Sequence, residues 1–233
     1  MNVVVTGASN GIGYQTCLVL AEAGHRVFAL SRNMDKLNDL CRKSGSSRHP
    51  GEIIPVTCDI AVAGDVGAAC AEIRKHANEI NVLINNAGLL VNRPFTELRD
   101  EEWQGMYAVN VFGAARMIRA CLPMMRGQAH IVNISSMGGV QGAQKFPGLS
   151  GYTSGKAALI ALTECLAEEF RGKGPVVNCL ALGSVSTEMF NTAFPGASAA
   201  LSAEEMGAYV AEFALKGHRF YNGKVLQVSV STP

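Results

Sequence analysis

The chain lacks an excess of charge of either sign. Twenty lysines and arginines stand against nineteen aspartates and glutamates, a formal net charge of +1. Without a basic balance, the sequence gives no reason to expect a nucleic-acid partner or attraction to an anionic membrane surface. It also lacks a long apolar run: no stretch approaches the roughly 18 residues that a membrane span needs. At the start, residues 3–5 are too short for the apolar region of a signal peptide, and Gly7 interrupts them. The seven cysteines are an odd number without any C-x-x-C pair, and most sit in apolar stretches. They read as reduced residues of a cytoplasmic protein. The five histidines have no paired spacing, so no metal is expected.

What is present is apolar and regularly punctuated. Hydrophobic residues make up 48% of 233, enough for a sizeable core. No linker, repeat or low-complexity segment divides the chain, which predicts one domain over 1–233. Short β-branched or apolar runs at 2–5, 26–30, 53–57, 81–84, 130–134, 175–180 and 224–230 predict seven strands. Helical patterns lie between most of them, at 34–43, 65–77, 98–122, after Tyr152, and from a capping-box-like start at 202–205 to about 215. Residues 44–51 read as a polar loop, and 187–200 are too mixed to assign. Strands alternating with helices predict an α/β fold: a Rossmann-like, doubly wound parallel sheet of seven strands with helices on both faces.

Several stretches fall where such a sheet binds ligands. Thr6-Gly7-Ala8-Ser9-Asn10-Gly11-Ile12-Gly13 links the first strand to a helix. Glycines there allow a tight turn and close approach of backbone to phosphate, and the helix N-terminus attracts the anion. A plain flexible turn is the bland alternative. The second strand ends at Ser31-Arg32, with no acid to bond a ribose 2′-hydroxyl. An arginine there suits a 2′-phosphate, so NADP(H) is favoured over NAD(H). Asp59-Ile60 follows the third strand, as a helix cap or an adenine contact. Asn85-Asn86-Ala87-Gly88 follows the fourth, where small residues let a cofactor lie close. Asn110 is a mediocre helix former inside an apolar helical stretch and needs a reason, such as a polar role at a kink.

The fifth strand ends at Ser135-Ser136. Tyr152-Thr153-Ser154-Gly155-Lys156 then places a phenol and an ammonium on one helix face, a turn apart. A nearby cation favours the phenolate and predicts a lowered phenol pKa, which suits proton exchange with an alcohol or carbonyl. Alone, a tyrosine and lysine at this spacing arise often by chance.

In this order the motifs resemble the classical short-chain dehydrogenase/reductase family over essentially the whole chain. The carrying residues are Thr6-Gly7-x-x-x-Gly11-x-Gly13, Asn85-Asn86-Ala87-Gly88, Asn110, Ser136, Tyr152-x-x-x-Lys156 and Gly183-x-Val185-x-Thr187. The resemblance implies a catalytic group of Asn110, Ser136, Tyr152 and Lys156. Tyr152 would exchange the proton, Lys156 would lower its pKa and hold the nicotinamide ribose, and Ser136, as the second serine of its pair, would bond the substrate carbonyl. Asn110 would hold a water linking Lys156 to solvent. Cofactor contacts are expected from Gly7, Ser9, Asn10, Gly11, Ile12, Gly13, Ser31, Arg32, Asp59, Ile60, Asn86, Ala87, Gly88, Tyr152, Lys156, Val185 and Thr187.

The implied reaction is hydride transfer between NADP(H) and a small carbonyl/alcohol pair, 3-oxoacyl thioesters of acyl carrier protein included. Met137, Phe146, Met189, Phe190 and Phe194 are apolar pocket candidates. A homodimer or homotetramer is implied, with contacts after Asp100 and after Tyr152. The alternatives are a catalytically idle dinucleotide sensor and, ranked lower, a dehydratase or epimerase. The sequence departs from the family pattern in four places: sixteen positions from Ser136 to Tyr152, Leu182 for proline, Gly155 for serine, and no glycine pair in 229–233.

Overall fold

In β1 (Asn2–Thr6), Val3 and Val5 join one apolar cluster and Val4 joins another. That alternation is the period of a strand buried on both sides, and it sets the architecture. The computed structural model describes residues 1–45 and 50–230. After β1 come α1 (Gly11–Glu22), β2 (Arg26–Ser31), α2 (Met34–Gly45), β3 (Glu52–Thr57), α3 (Ala63–His76), β4 (Val82–Asn85), α4 (Asp100–Tyr107), α5 (Ala114–Cys121), β5 (His130–Ser136), α6 (Ser150–Glu169), β6 (Val176–Leu182), β7 (Val185–Ser186), α7 (Glu188–Ala193), β8 (Leu201–Ser202), α8 (Ala203–Lys216) and β9 (Val225–Val228).

Seven strands form one parallel sheet in the order β3-β2-β1-β4-β5-β6-β9. One face packs against Cys17 and Leu20 of α1, Leu37 and Leu40 of α2, and Met206 and Val210 of α8. The other packs against Val66 and Ile73 of α3, Met117 and Cys121 of α5, and Ala167 of α6. The order reverses between β1 and β4, which opens a crevice at their carboxyl ends, where ligands bind in such sheets.

Four regions differ from the sequence expectation. The helix expected over 98–122 is α4 and α5 joined by a π-helical segment, Ala108–Gly113; such insertions widen the hydrogen-bond ladder and recur at functional sites. The mixed segment 187–200 contains α7, capped by the Thr187 hydroxyl, which accepts from Phe190 N at 3.1 Å. β7 and β8 pair as a separate small sheet. The expected loop over 44–51 begins later, because α2 runs to Gly45; residues 46–49 of it, and 231–233 of the departing tail, lie outside the described residues. Ser202 and Glu205 form the expected reciprocal cap, at 3.1 and 2.9 Å.

Among the described residues no helix is long and apolar enough to cross a membrane, and no group of three or more metal-ligating side chains occurs.

Candidate active site

The crevice floor is tied together by Thr6 and Asn86. The Thr6 hydroxyl accepts from the main-chain N–H groups of Asn86 and Ala87 at 3.1 and 3.0 Å. The Asn86 amide donates back to the Thr6 and Gly7 carbonyls at 3.0 and 3.1 Å. The sequence did not single out Thr6 beyond its place in the motif. Gly7 has φ +69°, and a Cβ there would lie 2.7 Å from Ala87 Cα. A Cβ on Gly13 would lie 2.5 Å from the Gly7 carbonyl oxygen. Only glycine permits this fold of the turn.

Asn10 is the residue preceding α1, but its side chain makes no cap bond. The first N–H groups of α1 therefore stay available to an anion. Gly11 is overhung by Thr187, whose Cγ2 would lie 3.1 Å from a Cβ there. A backbone cradle at a helix N-terminus with no room for side chains fits a pyrophosphate.

Beside the glycine turn, toward the end of β2, is a cleft of about 610 Å³ lined by Ser9, Asn10, Ser31, Arg32, Asn33 and Lys36, among others. Arg32 is exposed and pairs with Asp59 at 3.9 Å. Asp59 also accepts from Ala61 N at 2.9 Å in a local turn; it does not cap the next helix as expected, because α3 starts at Ala63 with Val62 before it. Ile60 is buried, and its side chain would crowd a Cβ on Gly113 at 2.7 Å. It supports the π-helical segment, so any ligand contact from Ile60 falls to its main chain. Val185 is likewise buried and pairs with Leu201 in the small sheet.

At the other end, α6 carries Tyr152 and Lys156. The Lys156 ammonium is buried, donates to Ile134 O at 2.8 Å, and lies 5.6 Å from the Tyr152 ring centroid. Ser135 is buried and donates to the Lys156 carbonyl at 2.9 Å, which commits it to holding α6 on β5. Ser136 stands half-buried, accepting from Gly138 N at 3.3 Å, within reach of the Tyr152 phenol. The two serines point to opposite sides of the strand, and the second one faces the phenol.

Burial dominates the electrostatics here. It pushes the Tyr152 phenol up to about 12, with the Ser136 hydroxyl pulling the other way. It pulls Lys156 down to about 8, against a smaller upward pull from Cys179. The sequence expectation was a lowered phenol pKa. The direction differs because desolvation of the phenolate outweighs the favourable neighbours.

Asn110 is 1% exposed, and both ends of its amide are used. Its Oδ1 accepts from Leu89 N at 2.9 Å, and its Nδ2 donates to Leu89 O at 2.8 Å. The side chain is therefore committed to the chain just past β4. A Cβ on Gly88 would lie 3.3 Å from Asn110 Oδ1, 3.6 Å from Lys156 Nζ and 3.8 Å from Met189 Cε. Gly88 thus opens the space where Asn110, Lys156 and α7 converge.

The crevice roof joins three loops. Arg93 N donates to Gly148 O at 2.9 Å, and Asn92 Nδ2 donates to Ala193 O at 2.8 Å. The long segment between Ser136 and Tyr152 is thereby fastened to the loop after β4, and that loop to α7. Met137 is buried, while Phe146 and Met189 are exposed. Phe190 and Phe194 face each other with centroids 5.3 Å apart. Side chains that meet only across such loops leave no periodic signal in the sequence.

A family model described as short chain dehydrogenase matches residues 1–197. An oxidoreductase of Staphylococcus saprophyticus is 37% identical over 191 residues, covering 80% of this chain and 75% of that protein. A 3-oxoacyl-[acyl-carrier-protein] reductase of Thermotoga maritima is 29% identical over 188 residues, covering 80% and 74%. The crystal structure of a 3-ketoacyl-(acyl-carrier-protein) reductase from Brucella melitensis complexed with NADH superposes with a TM-score of 0.87 at 22% identity, covering 98% of this chain and 96% of that one.

Proposed function

The chain belongs to the short-chain dehydrogenase family, oxidoreductases that interconvert CH–OH and C=O groups with a nicotinamide dinucleotide, and from that premise we propose an NADP(H)-dependent carbonyl reductase. The observation that carries the reading is the convergence of Tyr152, Ser136 and Lys156 beside Gly88, at the carboxyl ends of β4 and β5. The nicotinamide, when bound, supplies a hydride to the carbonyl carbon.

This chain's own residues manage the oxygen. The Tyr152 hydroxyl gives its proton to the oxygen as negative charge grows there. The Ser136 hydroxyl donates a second hydrogen bond to the same atom, a two-donor arrangement that stabilises the developing alkoxide. Lys156, charged below about pH 8, stabilises the phenolate left behind. A phenol held near 12 stays in its donor form at neutral pH. With the Asn110 side chain spent on Leu89, we assign it a positioning role: it fixes the main chain beside Gly88.

Preference for NADP(H) is supported by Arg32 at the end of β2 and by the absence of an acid at Ser31. A 3-oxoacyl thioester is supported as substrate by the name of the Thermotoga relative. We infer a homo-oligomer, with exposed Phe112 between α4 and α5 as a contact; light scattering showing only monomer would count against this.

The test is oxidation of NADPH, and of NADH in parallel, against a panel of 3-oxoacyl thioesters, ketones and aldehydes. Turnover with NADPH is expected on at least one carbonyl class. Cofactor binding without turnover on any member would remove the reductase reading.

A further inference from the structure

We propose that Glu188 is a specificity-determining counter-charge, which Lys36 and Asn10 exchange for a ribose 2′-phosphate. This rests on the dinucleotide reading of the same crevice. Asn10 and Lys36 both line the 610 Å³ cleft, one from the glycine turn and one from α2. Both reach the same carboxylate oxygen: Asn10 Nδ2 stands 2.9 Å and Lys36 Nζ 3.5 Å from Glu188 Oε2. Glu188 therefore bridges two walls of the cleft from α7, the helix whose other end is tied to Asn92.

Asn10, a good capping residue type, makes no cap bond to α1; its Nδ2 donates to Glu188 instead. The arrangement also puts a carboxylate at the point where two cleft donors converge. A phosphate arriving there carries the same sign of charge and seeks the same donors, so the two anions compete. Lys36 and Glu188 are both well exposed, and an ion pair of that kind is easily broken. Ser31 and Arg32 lie on the same cleft, so the donors freed from Glu188 would act together with them on one phosphate. A nucleotide without the 2′-phosphate gains nothing from that exchange and leaves the bridge in place. Glu188 thus raises the threshold for an anion at this one point of the cleft, and an anion that recruits Lys36 overcomes it.

The test is calorimetric binding of 2′,5′-ADP and of 5′-AMP to the full chain at fixed low salt, which reads affinity without turnover. Wild type is expected to prefer 2′,5′-ADP. Lys36→Ala should weaken 2′,5′-ADP roughly tenfold, the scale of one charge-assisted hydrogen bond, and leave 5′-AMP nearly unchanged. Glu188→Gln should tighten 2′,5′-ADP by about threefold to fivefold, with most of that gain lost in the Lys36→Ala/Glu188→Gln double variant, since the two act through one pair. Both side chains are exposed, and unchanged melting temperatures would exclude a folding effect. If Glu188→Gln leaves the ratio of the two affinities unchanged, or Lys36→Ala shifts both nucleotides alike, the proposal is overturned while the reductase reading stands. If wild type binds neither nucleotide, both fall.

Discussion

The two ends of β5 both bury ionisable chemistry, and they treat it in opposite ways. At the amino end, His130 is fully buried with both ring nitrogens engaged. Nδ1 meets Ala214 O at 2.9 Å, and Nε2 meets the Asn178 amide at 3.1 Å. A carbonyl can only accept, so Nδ1 carries the hydrogen and Nε2 accepts. Asn178 is engaged in turn, donating to Tyr221 O at 2.9 Å and accepting from Lys224 N at 3.1 Å. At the carboxyl end, Ser136 and Tyr152 stay half-buried at a crevice. Lys156 is buried with hydrogens to spare beyond its bond to Ile134 O. A satisfied buried polar group stabilises one fold. An incompletely engaged one beside a crevice is poised to act on something else.

The largest expected effect breaks the comparison at its carboxyl end. Tyr152→Phe keeps the ring and removes the proton donor. Its kcat should fall about 10²–10⁴-fold, the usual worth of a general acid, with cofactor affinity preserved in a fluorescence titration. Near wild-type turnover would mean that this end of β5 is as structural as the other.

The next effect belongs to the amino end and concerns stability against pH. Burial pulls His130 down to about 4. Between pH 6.5 and 4 the unfolded chain therefore holds a proton that the folded one does not, and stability falls as the pH drops through that window. The loss amounts to about 3 kcal/mol for a shift of this size. Urea unfolding at pH 7 and pH 4.5 should show a shallower decline in His130→Gln than in wild type. The variant should keep its turnover at pH 7. Parallel declines would show that other groups carry the acid sensitivity.

Why one end was readable from sequence and the other was not follows from what each depends on. The strands follow from short β-branched and apolar runs such as Val3, Val4 and Val5. The tyrosine and lysine share a face by helical spacing alone. Their relation to Ser136 came from the family resemblance, since the rule that open sheets bind ligands at strand carboxyl ends marks the serine pair without choosing between its members. The π-helical segment around Asn110 was invisible, because apolar periodicity does not distinguish an extra residue in a turn. Glu188 meeting Asn10 and Lys36 was invisible too, because the partners lie 178 and 152 residues away. The direction of the Tyr152 shift was misjudged for a related reason. Its neighbours are local in sequence, whereas the burial that outweighs them comes from the whole fold.

A third test asks how closely α6 is set against β5. A Cβ on Gly139 would lie 2.8 Å from the Lys156 carbonyl carbon and 2.9 Å from Ala157 N. These are backbone atoms, so the helix itself must give way. Gly139→Ala should cost about 1–3 kcal/mol, the range for overpacking, and lower kcat by moving Lys156 relative to Ser136. Intact activity in a destabilised variant would show that the carboxyl end tolerates displacement.

The smallest effect lies between Tyr152 and Lys156 and sharpens the contrast between carrying chemistry and merely packing. Gly155 stands where the related family has serine, inside α6, the helix that carries both Tyr152 and Lys156. A Cβ there would meet nothing closer than 3.8 Å, touching Asn110 Cβ, Tyr107 Cε2 and Val111 Cγ2 at ordinary contact distance. The backbone is helical, so a methyl group strains nothing and removes freedom from the unfolded chain. Gly155→Ala should therefore stabilise the protein by about 1 kcal/mol, read as a higher urea midpoint with an unchanged slope. It should leave kcat unaltered, because the added methyl packs α6 against the π-helical segment and does not move Lys156. A fall in kcat would instead mean that the carboxyl end of β5 depends on slack in this helix, and that its geometry is less fixed than that of the satisfied histidine at the opposite end.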